Sequence, residues 1–262
     1  MIIGVTGAQG FIGNHLGKYL AEKKYNVVAF GRDHNRKYSG VEWRIKDLNF
    51  CDEKDFAGVD KLIHLAGTAV DANALEKNFA LTKKVLGAAI RAGVKYFYLV
   101  SSYAVYGDRQ VPATVNDNIN PIGEYAESKV LAENEVRQAI LEQNIRGSVL
   151  RFCSAFGEGG KGLVSLLKDK IKNGEKVDIN ANFLRNYLHV KDICKAIDKI
   201  IEIENPEHTY NIEGEQCSSK ELHEILLSMG INSKFQEKKT INYLSRGLKV
   251  GPSVTVKDFL TK

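Results

Sequence analysis

The chain has 262 residues, 44% of them apolar and 26% charged, enough to bury a sizeable core without a metal or disulfides and with no mark of a disordered or fibrous protein. The net charge of +5 is dispersed among acids, as in EKDFAGVDK and KDKIKNGEKVD, which argues against a nucleic-acid partner. Cys51, Cys153, Cys194 and Cys217 show no C-x-x-C pairing, so neither a zinc site nor a disulfide framework is suggested.

A first strand is predicted over Met1–Thr6, followed at once by TGAQGFIG and a helix over Phe11–Lys23. Gly7, Gly10 and Gly13 fall in a G-x-x-G-x-x-G turn between strand and helix, where a missing Cβ permits a tight turn and close backbone approach to a pyrophosphate. Gln9, Phe11 and Ile12 belong to the same turn and are counted with the glycines as cofactor-binding candidates. Such a triplet alone also fits a turn without a ligand. The opening residues lack a basic region followed by an apolar stretch and a cleavage site, and no later run approaches membrane-spanning length. The expectation is a cytoplasmic protein with no membrane contact.

The second strand, over Asn26–Phe30, ends in Gly31-Arg32-Asp33. An acidic residue at this strand end takes the ribose hydroxyls in many dinucleotide sites. With Gly31 there, the carboxylate that would repel a 2′-phosphate is gone and Arg32 can pair with it, which favours NADP. If Asp33 serves the ribose instead, Arg32 is a solvated surface charge and NAD remains open. Asp47 and Leu48 follow another short extended run as candidates for the adenine edge, a surface turn being the alternative. A strand over Lys61–Leu65 leads into Leu65-Ala66-Gly67, where backbone must approach the cofactor.

A helix over Leu75–Ala92 precedes a strand over Tyr96–Ser101, after which Ser102 enters the loop YAVYGD. That puts a serine hydroxyl at the carboxyl edge of a parallel sheet, the edge where ligands bind. Tyr125 and Lys129 stand at i and i+4 of a helix predicted over Glu124–Asn144, on one face. A free tyrosine ionises near pH 10, so an ammonium that lowers it suits acid–base chemistry at neutrality. The spacing by itself also fits an ordinary surface pair.

A strand over Gly147–Phe152 completes an alternation that reads as α/β, a doubly wound parallel sheet flanked by helices. Beyond it come the turn GEGGKG, a helix over Leu163–Asn173, a strand pair around Val177–His189 and a helix over Val190–Glu202, the pattern of a small substrate-side lobe. Residues 1–155 are taken as the dinucleotide-binding domain and 156–262 as a small lobe partly interleaved with it. His15, His34, His64, His189 and His208 lack ligand spacing, and no metal is expected.

In this order and spacing, TGAQGFIG, KLIHLAG, the helix carrying Asn78, GVKYFYLVSSYAVYG, YAESK, VLRFCSAFG, LRNYLHVKD and YNIEG resemble the extended short-chain dehydrogenase/reductase family, also called the NAD-dependent epimerase/dehydratase family. The resemblance implies a Rossmann fold. It implies that Ser102 hydrogen-bonds the reacting oxygen, that Tyr125 gives or takes its proton, and that Lys129 tunes Tyr125 and holds the nicotinamide ribose. Arg185 matches an arginine that contacts a sugar-nucleotide diphosphate, and Tyr103 is counted with Ser102 and Arg185 as substrate-binding. The chain departs from the pattern at Phe152, where proline is more usual, at Cys153 and Ser154, and in a short carboxyl-terminal part. Tyr103-Ala104 follows Ser102 where the dehydratases carry Asp-Glu, which argues against a 4,6-dehydratase. The leading expectation is NADPH-dependent reduction of a keto group on a nucleotide-linked deoxysugar. Its rivals are an epimerase with tightly held NAD⁺ and a redox-silent nucleotide-binding protein. A homodimer through the helices at 75–92 and 124–144 is also implied.

Overall fold

Runs that are apolar on both faces, such as IIGVT and NVVAFG, suit strands covered from both sides. In the computed structural model, which describes residues 1–68, 73–142, 145–231, 233–236, 242, 244 and 246–261, they form interior strands of the main sheet. In chain order the elements of the first half are β1 (Ile2–Thr6), α1 (Phe11–Glu22), β2 (Asn26–Gly31), β3 (Glu42–Ile45), β4 (Lys61–His64), α2 (Ala74–Arg91), β5 (Tyr96–Ser102), α3 (Glu124–Glu142) and β6 (Arg146–Phe152). Those of the second are β7 (Ser154–Phe156), α4 (Leu163–Lys172), β8 (Val177–Asn180), β9 (Leu184–His189), α5 (Val190–Ile201), β10 (Thr209–Glu213), β11 (Glu215–Ser218), α6 (Ser219–Ser228), β12 (Ser233–Gln236), β13 (Leu248–Lys249) and α7 (Val256–Thr261). The predicted strands and helices of the first half form within a residue or two of their expected ends. The last two residues of the helix expected over Glu124–Asn144, 143 and 144, lie outside the described residues.

The main sheet has eight strands in the order β13-β10-β6-β5-β4-β1-β2-β3, with every neighbouring pair parallel. This is the doubly wound Rossmann arrangement the alternation predicts. Leu16 and Leu20 of α1 and Ile193, Ile197 and Ile200 of α5 cover one face. Val85 and Ala89 of α2 and Ala132 and Val136 of α3 cover the other. The three- and four-residue spacing of each set is the helical repeat that made these segments legible.

One feature departs from expectation. The strands expected as a pair around Val177–His189 both form, but not with each other. β9 lies between β7 and β11, and β8 pairs in parallel with β12. Val177 and Ile179 pack in a separate apolar cluster with Phe183, Leu222 and Leu226, and the hydrogen-bonding partner of β8 comes from later in the chain. β10, from the second half of the chain, enters the main sheet beside β6 with Tyr210 opposite Leu150 and Ile212 opposite Phe152. No helix among the described residues is long and apolar enough to cross a membrane.

Candidate active site

The sheet order reverses at β1, with β2 on one side and β4 on the other, and ligands of open α/β sheets bind outside the carboxyl ends of strands at such a point. A cleft of about 730 Å³ opens there. Its floor is the glycine turn. Gly7 has φ +65°, and a Cβ on it would lie 2.8 Å from the Ala66 nitrogen. A Cβ on Gly13 would lie 2.2 Å from the Gly7 carbonyl oxygen. Backbone packs on backbone, so side chains cannot fill the cradle. α1 begins immediately beyond, at Phe11, with Gly10 at its N-cap and no side chain capping it. An uncapped N-terminus reached through a glycine turn fits the diphosphate of a dinucleotide.

Of the candidates for the cofactor, Gly7, Gln9, Gly10, Arg32, Asp47, Leu48, Leu65, Ala66 and Gly67 line this one cleft. Gly13 supports it from beneath. The Phe11 ring meets His15 edge-on, centroids 5.5 Å apart, and the Ile12 side chain packs against the core under α1, so what these two offer a diphosphate is backbone N–H at the uncapped start of α1. Asp33 Oδ1 accepts the Asn35 N–H at 2.8 Å, which engages the carboxylate in its own loop. Arg36, Lys46 and Asn78 also line the cleft, a role the sequence reading did not give them. The signal was a second and third positive charge close behind the ends of β2 and β3.

His64 closes the floor from below. It is 1% exposed, its Nδ1 lies 2.8 Å from Thr6 Oγ1 and its Nε2 lies 3.2 Å from Thr82 Oγ1. Thr6 Oγ1 already accepts the Leu65 and Ala66 N–H groups, so its own proton is left for Nδ1, and the neutral ring carries its hydrogen on Nε2. Burial, with the charge of Lys129 second, pulls its pKa down to about 3. The unfolded chain, with a histidine near 6.5, therefore binds more protons between those values. Stability should fall as pH drops from about 6.5 towards 3, by up to ~1.4 kcal/mol per pH unit from this residue. Urea titrations at stepped pH check this, and His64→Gln should flatten the dependence.

The predicted catalytic set comes together at the end of β5 and the first turns of α3. Ser102 Oγ accepts the Ala104 N–H at 3.2 Å, and its hydroxyl favours ionisation of the Tyr125 phenol. Lys129 Nζ lies 5.8 Å from the Tyr125 ring centroid and donates to the Val100 carbonyl at 3.1 Å. The electrostatics differ from the simple expectation that Lys129 lowers Tyr125. Burial raises the Tyr125 phenol, and the Ser102 hydroxyl opposes it only in part. Burial also pulls Lys129 down to about 8, with Glu133 holding it up. At neutral pH the phenol keeps its proton and the ammonium its charge.

One turn below Lys129 lies a group that the sequence reading missed. Glu133, fully buried, accepts from Ser101 Oγ at 2.6 Å and from Arg151 Nη2 at 2.6 Å. Arg137 Nη2 adds a third contact at 2.8 Å. Arg151 also donates to Tyr106, whose hydroxyl donates to Asn211 Oδ1 at 2.8 Å. The chain ties α3 to β5, β6 and β10. An arginine inside the apolar run VLRF was the available signal, because a charge in a central strand requires a buried partner.

Two substrate candidates lie outside the cofactor cleft. Tyr103 is 1% exposed and donates to the Ile212 carbonyl of β10; its ring packs in the main core, which removes it from the ligand surface. Arg185 stands on β9 opposite Cys217 of β11, its guanidinium 5.4 Å from the Phe183 ring centroid. Among the described residues, no group of three or more His, Cys, Asp or Glu side chains is placed to hold a metal ion.

Comparison with known proteins bears on this geometry. The NAD dependent epimerase/dehydratase family model matches residues 3–212. The chain is 27% identical over 253 residues to the dTDP-4-dehydro-6-deoxyglucose reductase of Escherichia coli, covering 85% of this chain and 79% of that protein. It is 25% identical over 239 residues to a UDP-glucose 4-epimerase of Rhizobium meliloti, covering 76% and 72%. Among solved structures, the Thermotoga maritima UDP-glucose 4-epimerase superposes with a TM-score of 0.88 at 21% identity, over 100% of this chain and 96% of that one.

Proposed function

The chain belongs to the NAD dependent epimerase/dehydratase family of extended short-chain dehydrogenases/reductases, and from that premise we propose that it is an NADPH-dependent reductase of a keto group on a nucleotide-linked deoxysugar. The observation that carries this reading is the rim of the cleft, where Arg32, Arg36 and Lys46 gather around Gly31 with no side-chain carboxylate at position 31 to bind ribose hydroxyls. The named reductase relative from Escherichia coli supports the sugar chemistry.

When bound, the nicotinamide ring supplies the hydride. In that reaction the Ser102 hydroxyl holds the carbonyl oxygen and Tyr125 gives it a proton as the carbon–oxygen double bond is reduced. The ammonium of Lys129 steadies the phenolate left behind and holds the nicotinamide ribose, and Arg185 pairs with the substrate diphosphate. Solvent returns the proton to Tyr125.

Fluorescence titration with NADPH and NADH, preceded by acid release of any cofactor retained in purification, tests the reading without a substrate. An empty site that prefers NADPH is the expected result. Tightly retained NAD⁺ would shift the assignment to the epimerase chemistry named for the Rhizobium meliloti relative, and binding of neither would remove the enzymatic reading. The same family premise extends to a cytoplasmic homodimer. The outer face of α2 exposes Lys83, Lys84 and Arg91, and that of α3 exposes Glu124, Glu127 and Leu131, opposite charges that a two-fold axis can bring together. A monomer in sedimentation equilibrium at micromolar concentration would remove that part.

A further inference from the structure

Gly31 leaves room for a side chain that is not its own. A Cβ built at Gly31 would lie 2.5 Å from Gln9 Cδ and 2.8 Å from both Gln9 Nε2 and Oε1. The Gln9 amide therefore occupies the space that the side chain of an acidic residue at position 31 would enter. Its hydrogen-bonding capacity is fully used on one loop. Oε1 accepts the Arg32 N–H at 3.0 Å and the Asp33 N–H at 3.1 Å, and Nε2 donates to the carbonyls of Asp33 and Arg36. An amide has two lone pairs and two hydrogens to offer, and all four are spent between residues 32 and 36. The loop answers with Arg36 Nη2 donating to the Gln9 carbonyl at 3.0 Å.

Resting on the NADPH reading above, we infer that Gln9 is the positioning residue that sets cofactor choice: it excludes a carboxylate from position 31 and pins the loop that presents Arg32 and Arg36 to a 2′-phosphate. Arg36 thereby joins Arg32 as a ligand of that phosphate, the planar guanidinium being suited to a dianionic ester. Lys46 contributes less, because Asp55 pairs with it at 3.0 Å. The glycine turn and the loop after β2 act as one unit. An exchange of cofactor then requires changes at 9 and 31 together, since an acid at 31 pushes the Gln9 amide off the four bonds that hold the loop and removal of Gln9 alone leaves no ribose carboxylate.

The test is equilibrium titration of wild type, Gln9→Ala, Arg36→Gln and the double variant Gln9→Ala/Gly31→Asp with NADPH and with NADH. Gln9→Ala and Arg36→Gln should each lose about tenfold in NADPH affinity, the size of one charge-assisted hydrogen bond, while NADH binding changes by less than about threefold. The double variant should prefer NADH. Equal losses for both cofactors in Gln9→Ala would reduce Gln9 to a structural prop and overturn the inference. If that variant fails to fold, Arg36→Gln, which leaves the amide in place, decides alone: unchanged selectivity overturns the inference and lost selectivity supports it. A wild-type protein without NADPH preference would instead defeat the underlying reading.

Discussion

Tyr125→Phe is expected to lower turnover by roughly 10²–10⁴-fold, the contribution of a positioned proton donor, with NADPH affinity unchanged within about twofold. The ring remains beside Lys129 and only the hydroxyl is lost, so binding and chemistry separate. The measurement is NADPH oxidation with dTDP-4-dehydro-6-deoxyglucose, the substrate class of the named reductase relative, alongside cofactor titration. Full activity in the variant would defeat the role given to Tyr125. The wild-type pH profile carries a further signature. Because burial lowers Lys129 to about 8, its ammonium is present below that pH and lost above it, and kcat/KM should fall as pH rises through about 8. The stability contribution runs the other way. Between about 8 and the ordinary lysine value the unfolded chain binds more protons, so folding stability from this group rises with pH while activity falls.

The second large effect concerns the buried pair beneath that lysine. Glu133→Gln leaves Arg151 without its counter-charge at 2% exposure, and breaking a buried pair from one side costs about 3–5 kcal/mol. For a chain of this size that lowers the melting temperature by roughly 10 °C. Arg137→Ala, whose side chain is 28% exposed, should cost ~1 kcal/mol or less. Replacing both members, as Glu133→Leu with Arg151→Met, should recover most of the loss, because an apolar pair has no charge to desolvate. A Glu133→Gln protein as stable as wild type would show that water reaches the pair. Glu133 also holds the Lys129 pKa up, so in Glu133→Gln the alkaline limb of the activity profile should move to lower pH.

The regular half of the fold was legible because its signals are local. Leu16 and Leu20 repeat at helical spacing, IIGVT and NVVAFG have no polar face, and the glycine turn sits where β1 must give way to α1. That Ser102, Tyr125 and Lys129 meet at the end of β5 follows from the order of the elements and the i, i+4 spacing on α3. Their protonation does not, since it depends on how deeply the fold buries them. The partners of β8 and β9 could not be read because they come from residues distant in sequence, 233–236 for β8 and both 154–156 and 215–218 for β9, and pairing is decided by which apolar faces meet. Tyr103 illustrates the same limit. Adjacent to Ser102 in sequence, it turns the other way at the end of β5 and anchors β10. The Gln9 clamp is invisible in one dimension, because nothing in TGAQGFIG shows that its glutamine reaches the strand end some twenty residues on.

The late arrival of β10 has a consequence for biosynthesis. β6 is complete at Phe152, yet the strand that pairs with its outer edge is residues 209–213. At about 5–20 residues per second, the ~60 residues between them occupy the ribosome for roughly 3–12 seconds. Throughout that interval the nascent chain carries an unpaired strand edge bearing Arg151, whose ion-pair partner Glu133 has already emerged but whose contact through Tyr106 to Asn211 has not. An open parallel edge is a template for pairing with other chains. The nascent polypeptide is therefore open to misassociation at this edge after β6 has been made and before β10 has emerged.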